Sequence, residues 1–431
     1  MKKSVLLTLL ASMFCLAACG GGDGGGGGGG GGSSKIKLKA RFHVEKSSKE
    51  GTAYKQLIDA FNEENRGEIT VTASFVARTA GEDAFERQLY TDKIDGTLPD
   101  LFSFDSPNCG TYAKAEYLLN ISDYFTETEL NKFVNTNKYN GQLYGLPIQE
   151  SSAGFYYNKQ IFSAAGINVD GITAENPWTV TRFKEVCQQL RDYGTTPVDM
   201  RMDATKDETA MYLLYPFIYA HNGDFVDETG YIANGHLNSA NSIRGFQFLK
   251  DLLTANYTSY NVGSTDFVTG KAGMYLSSGW TIPELDHDYP KQFPNRDTWG
   301  LLPYPKADKA VSCNGSWSFG LGNNKKNNKE SVIKLLKFLT NPTSSKAITD
   351  KTGMIPANKD VVTGYASGSP EDTLYKQLQN TSRERPVTVG YKQLSSTFSL
   401  IISGLGAAEN VATFVNNKTS VLQNDLDHIK R

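Results

Sequence analysis

The sequence predicts an α/β protein in which strands and helices alternate along the chain. Hydrophobic residues that alternate with polar ones predict strands at 35–44 and 69–75, and a short apolar run predicts a third strand at 101–104. Helical patterns fill the segments between them, at 54–61 and 83–93. Strand, helix, strand, helix and strand in succession are typical of a parallel sheet with crossover helices.

The length of the chain favours two lobes. Residues 1–34 contain a hydrophobic segment and a glycine-rich stretch, and about 397 residues follow them. A single hydrophobic core seldom serves a chain of that length. The sequence has no internal repeat and no second linker, so the two lobes should share an interface.

Polar side chains follow each of the first three predicted strands. His43 and Glu45 come after the first strand, Arg78 after the second, and residues 105–108 after the third. In sheets of this kind, ligands bind beyond the carboxyl ends of the strands. We therefore expect these residues to converge at one edge of the sheet and to form part of a binding site.

The rest of the chain continues the mixture of strands and helices. Turn residues at 140–147 lead into an extended segment that reaches residue 157. Periodicity then predicts two more strands and four more helices. The strands are 270–278 and 299–305, and the helices are 183–190, 211–220, 243–253 and 332–339.

The N-terminal residues have the pattern of an export signal. Lysines at 2 and 3 precede an apolar segment at 5–14, and Leu-Ala-Ala-Cys follows at 16–19. The apolar segment is too short to remain as a membrane-spanning helix. Leu-Ala-Ala-Cys resembles the lipobox of bacterial lipoproteins, which implies a signal peptide at 1–18 and lipidation of Cys19. The alternative is an ordinary secreted protein in which this cysteine has no such role.

A glycine-rich stretch separates Cys19 from the rest of the chain. Such a stretch cannot form a core, so residues 19–34 should act as a lipid-anchored, flexible tether. No later stretch approaches eighteen consecutive apolar residues, and we expect no other membrane span. The protein should therefore work outside the cytoplasm, on the outer face of the cell membrane in a single-membrane bacterium, or facing the periplasm or on the outer membrane otherwise.

Charge and cysteine content exclude several classes of protein. Without Lys2 and Lys3, 42 of the 44 basic residues remain beside 46 acidic ones, so nothing indicates a nucleic-acid partner. Cys109, Cys187 and Cys313 are widely spaced and odd in number. A disulfide framework or a metal site is therefore not expected, although one disulfide bridge remains an alternative.

Five sequence fragments occur in a characteristic order. They are Asn-Gly-Gln-Leu-Tyr-Gly-Leu-Pro with the residues that follow it (140–166), Gly-Lys-Ala-Gly-Met leading to Gly-Trp (270–280), Trp-Gly-Leu-Leu-Pro (299–303), the segment 315–323, and Gly-Met-Ile-Pro-Ala (353–357). In this order, behind a lipobox, they resemble the family-1 extracellular solute-binding lipoproteins of ABC importers, which are related to maltose-binding protein.

The resemblance implies a two-lobed periplasmic-binding-protein-like fold of type II. Each lobe would be a mixed, mostly parallel sheet flanked by helices. Residues 35–150 and 307–355 would form the N-terminal lobe, and residues 151–306 and 356–431 the C-terminal lobe. A sugar would lie in the cleft between the lobes and be trapped by hinge closure, a motion known for periplasmic binding proteins as a class.

Two of the four tryptophans are candidates for contact with a sugar. A sugar offers its C–H faces to flat rings and its hydroxyls to polar groups. Trp280 ends a predicted strand and matches a ligand position of the family, with a core indole as the alternative. Trp317 lies among small residues that would leave its ring exposed. We expect Trp178 and Trp299 to lie in the core.

Seven further residues complete the predicted ligand site. For each of them, a structural hydrogen bond, a helix cap or a solvated charge is the alternative role. The segment 385–398, which lines the cleft in relatives, supplies the last of the seven. They are His43, Arg78 and Asp105 from the strand ends, and Glu150, Tyr157, Tyr212 and Tyr391 from the resemblance.

The predicted function is binding rather than catalysis. The sequence lacks the common metalloprotease, hydrolase, P-loop and dinucleotide motifs, so we predict no enzyme activity, no catalytic residue and no cofactor. We predict a monomeric, lipid-anchored receptor that binds a carbohydrate, in particular an oligosaccharide, and delivers it to the permease subunits of an ABC importer.

Three alternatives stay open at this point. A secreted glycoside hydrolase would need two carboxylates at a set separation, which a sequence with many acids cannot exclude. A surface adhesin that binds carbohydrate without a transporter would carry the same lipobox. Related families also bind solutes other than sugars, among them polyols, polyamines and iron.

Overall fold

The computed structural model describes residues 35–80, 84–204, 208–263, 265–325, 328–361 and 363–430. The predicted signal peptide at 1–18, the lipidation site Cys19 and the tether that ends at residue 34 lie outside these residues. Within them, no helix combines the length and the apolar character that a membrane span needs.

Strands and helices are mixed throughout the described chain. The strands are β1 (Ile36–His43), β2 (Ile69–Val76), β3 (Leu101–Asp105), β4 (Asn137–Tyr139), β5 (Gln142–Ser151), β6 (Ala153–Asn158), β7 (Thr196–Asp199), β8 (Ala272–Ser278), β9 (Trp299–Leu302), β10 (Ser312–Cys313), β11 (Gly315–Leu321), β12 (Ile355–Pro356) and β13 (Ser382–Arg383). The helices are α1 (Lys49–Glu64), α2 (Ala84–Asp95), α3 (Cys109–Lys114), α4 (Glu127–Leu130), α5 (Lys159–Ala164), α6 (Val180–Tyr193), α7 (Thr209–Ala220), α8 (Ala240–Thr254), α9 (Thr281–His287), α10 (Lys329–Leu339), α11 (Pro342–Thr352), α12 (Pro370–Asn380), α13 (Tyr391–Gly404) and α14 (Val411–Lys430).

Seven strands form what we call the first sheet. Its order is β12-β5-β11-β3-β1-β2, and β4 pairs with the first half of β5. β1 lies between β2 and β3 and runs parallel to both, which confirms the parallel arrangement predicted from the first three strands. β11 is inserted between β3 and β5 and is antiparallel to both. Apolar residues of α1, α10 and α11 pack against this sheet.

Four strands form the second sheet, in the order β7-β8-β6-β9. β7 is parallel to β8, whereas β6 is antiparallel to both of its neighbours. The helix α7 packs against α8 and α13 beside this sheet. Because neighbours cover every face of α7, its residues 210–220 are all buried, and its sequence is apolar all round.

The chain passes between the two sheets three times. β5 of the first sheet ends at Ser151, and β6 of the second sheet begins at Ala153. The chain returns from the second sheet to the first near Gly315, the first residue of β11, because Cys313 still packs in the core of the second sheet. The third pass follows β12, since α12 contacts β9. The lobe limits implied by the resemblance placed the return slightly earlier, between residues 306 and 307, and the exact limits of the lobes stay a prediction.

The end of β9 and the burial of two tryptophans can be compared directly with the predictions from the sequence. β9 ends at Leu302 rather than at residue 305, because Pro303 and Pro305 cannot donate a backbone hydrogen bond to a neighbouring strand. Trp178 and Trp299 are 7% and 1% exposed, which confirms that both lie in the core.

Most of the helices after residue 280 were not predicted. The patterns identify α10 but not α9 or α11 to α14. The helices α9, α11, α12 and α14 bury only a few apolar residues separated by polar ones. The helix α13 is a missed signal, because it buries Tyr391, Leu394, Phe398, Ile401 and Ile402 at helical spacing. The cysteines of the described ranges, Cys109, Cys187 and Cys313, are buried free thiols.

Candidate ligand-binding site

The carboxyl ends of β1 and β2 bring three predicted site residues together around one indole. The Arg78 guanidinium lies 3.7 Å from the centre of the Trp317 ring, and the edge of the His43 ring meets the same indole at 5.6 Å. His43 also stacks on Phe85 of α2, with ring centres 4.5 Å apart. We call His43, Arg78 and Trp317 the Trp317 wall. The expected convergence of strand-end residues is thus present in the structure.

Arg78 is held in place by a carboxylate that the sequence analysis missed. Its two terminal nitrogens bind Glu50, at 3.0 Å to Oε2 and 3.1 Å to Oε1. Glu50 lies in the first turn of α1 and also accepts hydrogen bonds from the Tyr54 hydroxyl (2.8 Å) and Gln149 Nε2 (3.3 Å). The Glu50–Tyr54 spacing of four residues on a helix is the signal that could have revealed it.

The electrostatics of the Trp317 wall leave His43 uncharged. Burial and, after it, the nearby Arg78 guanidinium lower the pKa of His43 to about 4, although Asp105 and Glu45 act in the opposite direction. At neutral pH the imidazole is therefore neutral, with one nitrogen that can donate and one that can accept a hydrogen bond.

Asp105 connects the Trp317 wall to the opposite side of the site. It pairs in register with Trp317, because β3 and β11 are neighbouring antiparallel strands. Its side chain does not cap the turn at 106–108, which was the alternative role for this residue. Instead, both carboxylate oxygens accept hydrogen bonds from Arg385, at 2.8 and 2.5 Å.

Arg385 is the centre of a cluster that we define as Asp105, Glu208, Arg385, Tyr391 and Ser395. Its guanidinium also donates to Glu208 Oε1 at 2.9 Å, and only 3% of its side chain is exposed. Glu208 in turn accepts hydrogen bonds from the hydroxyls of Tyr391 and Ser395, both on α13. Burial raises the pKa of Glu208 above its ordinary value, while the Arg385 guanidinium opposes that rise.

Sequence patterns did not identify Arg385 or Glu208 as site residues. Glu208 precedes α7 at the N-cap position but makes no capping bond with its side chain, because that carboxylate faces Arg385 and α13. The resemblance had indicated the segment 385–398, from which Tyr391 was chosen. Tyr391 does join the cluster, through its hydrogen bond to Glu208 and with its ring centre 6.0 Å from the Arg385 guanidinium.

Tyr212 and Trp280 form an aromatic surface beside the Arg385 cluster, which we call the Trp280 wall. Their ring centres are 5.9 Å apart, and the Arg385 guanidinium lies 5.5 Å from the centre of the Tyr212 ring. Trp280 follows β8 and is half-buried. The Tyr212 hydroxyl donates to Ser151 Oγ at 2.7 Å, at the point where the chain leaves the first sheet.

A glycine allows the Trp280 wall to approach the Arg385 cluster. A Cβ atom at Gly315 would lie 2.7 Å from the Tyr212 ring, 3.1 Å from Ser151 Oγ and 3.3 Å from Arg385 Nη2. Distances this short leave no room for a side chain. Gly315, at the return to the first sheet, is therefore required for the contact between the Trp280 wall and the Arg385 cluster.

Two predicted site residues do not line the space between the walls. Tyr157 packs in the core of the second sheet, with its ring centre 4.7 Å from that of Phe162, because β6 is an inner strand of that sheet. Glu150 is completely buried between β11 and β12, and neither carboxyl oxygen has a partner at hydrogen-bond distance among the described residues. Burial raises the pKa of Glu150 well above its ordinary value.

Two cavities lie away from the Trp317 wall, the Arg385 cluster and the Trp280 wall. One, of about 460 Å³, opens on the outer side of α6 next to Lys184 and Tyr257. The other, of about 350 Å³, lies between α12 and the loops that contain Asn135 and Lys359. Neither combines charged groups and aromatic rings from both sheets, so the Trp317 wall, the Arg385 cluster and the Trp280 wall together are the stronger candidate site.

The chain matches a known protein family over residues 45–346, which is more than half of its length. The family is described as bacterial extracellular solute-binding protein. The chain belongs to this family. Its members are binding proteins rather than enzymes, which agrees with the prediction from the sequence and removes the glycoside hydrolase alternative.

Individual relatives are distant in sequence, and a solved structure shares the fold of this chain. A binding protein of Brucella abortus is 24% identical, over 82% of this chain and 85% of that one. The multiple sugar-binding protein of Streptococcus mutans is also 24% identical, over 63% of this chain and 66% of that one. The cyclic alpha-maltosyl-1,6-maltose binding protein from Arthrobacter globiformis superposes with a TM-score of 0.78 at 19% identity, covering 92% of this chain and 100% of that one. The two-lobed type II α/β fold is thereby confirmed.

Proposed function

We propose that this solute-binding protein is a carbohydrate receptor that delivers its ligand to an ABC importer. The observation that carries the proposal is the chain of contacts from the Trp317 wall through Asp105 and Arg385 to the Trp280 wall, which brings aromatic rings and charged groups together. Trp280 and Tyr212 lie on one side, Trp317 on the other, and Arg78 and Asp105 lie beside Trp317. The printed names of the Streptococcus and Arthrobacter relatives, which refer to sugars, support the same ligand class.

The chemistry of these groups suits a sugar. The half-buried Trp280 ring offers an apolar face to the C–H groups of a pyranose. Arg78 carries several N–H donors and Asp105 accepts hydrogen bonds, so that neighbouring hydroxyls of one ring can be bound as donors and acceptors. A ligand with several sugar units would reach both tryptophans, which is why we propose an oligosaccharide.

Ligand contacts with both lobes would drive closure. The proposed lobes are residues 35–150 with 307–355 and residues 151–306 with 356–431, which are built on the first and the second sheet. A ligand that touches the Trp317 wall and the Trp280 wall at once binds the closed form better than the open form. That difference in affinity is the source of the population shift that an importer could recognise.

A thermal-unfolding screen tests the ligand class. The full chain, purified in detergent, is heated with mono- and oligosaccharides and, as competing classes, with polyamines, phosphodiesters and ferric salts. A carbohydrate at about 100 times its dissociation constant should raise the free energy of unfolding by about 2.7 kcal/mol. Stabilisation by a competing class, with none by any carbohydrate, would contradict the proposal.

We also propose that the protein is held outside the cytoplasm by a lipid on Cys19, as a monomer. The lipobox-like residues at 16–19 support this anchor. Cys19→Ala should release the protein from the membrane fraction and abolish incorporation of labelled palmitate, because no other residue is expected to carry the lipid. Ser33→Ala, in the same tether, is the control and should remain membrane-bound. Membrane retention of Cys19→Ala would refute the lipid anchor without affecting the ligand class.

A further inference from the structure

Arg385 makes contacts that join the two halves of the site. Its partner Asp105 is the last residue of β3, in the first sheet. Its other partner, Glu208, immediately precedes α7, which packs in the core of the second sheet. A single buried guanidinium is thus shared between a carboxylate of the first sheet and one beside a helix that packs in the core of the second sheet.

The donors of Arg385 are used unequally. Nη1 donates to both Asp105 (2.8 Å) and Glu208 (2.9 Å), and Nη2 donates to Asp105 (2.5 Å). Nε is buried and has no hydrogen-bond partner among the described residues. A buried donor without a partner is costly unless something else accepts its hydrogen bond. This N–H therefore still lacks an acceptor within the part of the chain that the structure describes.

We infer that Arg385 is a positioning residue of the ligand site, which links the first and second sheets in the absence of ligand and aligns Asp105 and Glu208 for binding. The ligand part of this inference rests on the proposed function, whereas the link between the sheets does not. A paired guanidinium fixes the direction of both carboxylates through its planar donor geometry. Part of the closed arrangement is then already formed before a ligand binds.

A second arginine provides a matched control. Arg383, two residues earlier, binds Asp224 at 3.3 Å and lies 3.5 Å from the centre of the Tyr219 ring. Tyr219 and the neighbour of Asp224, Phe225, belong to the core of the second sheet. The Arg383–Asp224 ion pair therefore lies entirely on the side of the second sheet. Its loss should leave the distance between the two sheets unchanged.

Double electron–electron resonance between two spin labels measures the distance between the two sheets directly, in the full chain in detergent. Lys55→Cys on α1 and Lys271→Cys before β8 place labels at exposed positions on the two sides, while Cys109, Cys187 and Cys313 are buried. Without ligand, the parent protein should give one short distance. Arg385→Met should add a longer distance, and so should Asp105→Asn, which leaves the Arg385–Glu208 pair intact. Arg383→Met should keep the parent distance.

Affinity for the carbohydrate identified by thermal unfolding provides the second readout. Arg385→Met should weaken binding tenfold or more, Arg385→Lys should recover part of the loss, and Arg383→Met should bind as the parent does. Unchanged distances in folded Arg385→Met and Asp105→Asn proteins would overturn the inference, as would an equal change in Arg383→Met. If the distances respond but no carbohydrate binds, the link between the sheets is supported and the proposed ligand class fails.

Discussion

Trp280→Ala should weaken carbohydrate binding by about 2 kcal/mol or more, which is roughly a thirtyfold rise in the dissociation constant. The reason is the loss of a half-buried indole that lies against Tyr212, beside the Arg385 cluster. An aromatic ring at this position supplies most of the apolar contact available to a sugar on its side of the site. Isothermal titration with the stabilising carbohydrate measures the change.

Two further tryptophan variants make this prediction specific. Trp280→Phe keeps a ring and should bind with intermediate affinity. Trp178→Phe alters an indole of the same hydrophobic core that lies away from the walls, so it should lower stability but not affinity. Equal affinities of the parent protein and Trp280→Ala would show that the ligand binds elsewhere.

Glu150→Gln should stabilise the protein at neutral pH relative to the parent protein. Glu150 is fully buried, and its carboxyl oxygens have no partner at hydrogen-bond distance within the described part of the chain. Burial raises its pKa well above the ordinary value of 4.5. The raised pKa means that the folded protein binds a proton that the unfolded chain releases above pH 4.5. The contribution of this carboxyl is therefore complete below that pH and is lost as the pH rises, by about 1.4 kcal/mol per pH unit. A glutamine has no proton to lose and avoids this penalty.

Urea unfolding of the parent protein and of Glu150→Gln at pH 5, 6, 7 and 8 tests the sign of the stability difference and its slope with pH. The difference in unfolding free energy should be small at pH 5 and should widen steadily in favour of Glu150→Gln. Glu63→Gln removes an exposed carboxyl from α1 and controls for the loss of one surface charge. A difference that does not change with pH would mean that Glu150 remains ionised in the folded protein.

Local sequence patterns predict the fold best where the chain is regular. The alternating residues of β1 and β2 and the helical spacing of Tyr54, Leu57 and Ile58 are repeated signals, and the parallel first sheet follows from their order. The insertion of β11 between β3 and β5 is not visible in such patterns. It pairs residues more than 200 positions apart, and only the family resemblance placed these segments in the same lobe.

In the candidate site too, local sequence patterns do not reveal contacts between distant parts of the chain. His43, Arg78 and Asp105 could be predicted to meet, because parallel strands end at one edge of a sheet. Arg385 and Glu208 could not, since both lie outside regular elements and acquire their roles only when two sheets are brought together. Tyr157 was assigned to the site by resemblance alone, and the neighbouring strands of β6 cover it.

A crystal structure of the protein with the carbohydrate that stabilises it most would test the central claim most directly. We predict a sugar ring stacked on Trp280 or Trp317, with hydroxyls bound to Arg78 or Asp105 and with contacts to both sheets. A carbohydrate bound instead in the cavity beside α6, or in the one between α12 and the Asn135 loop, would contradict this account of the site.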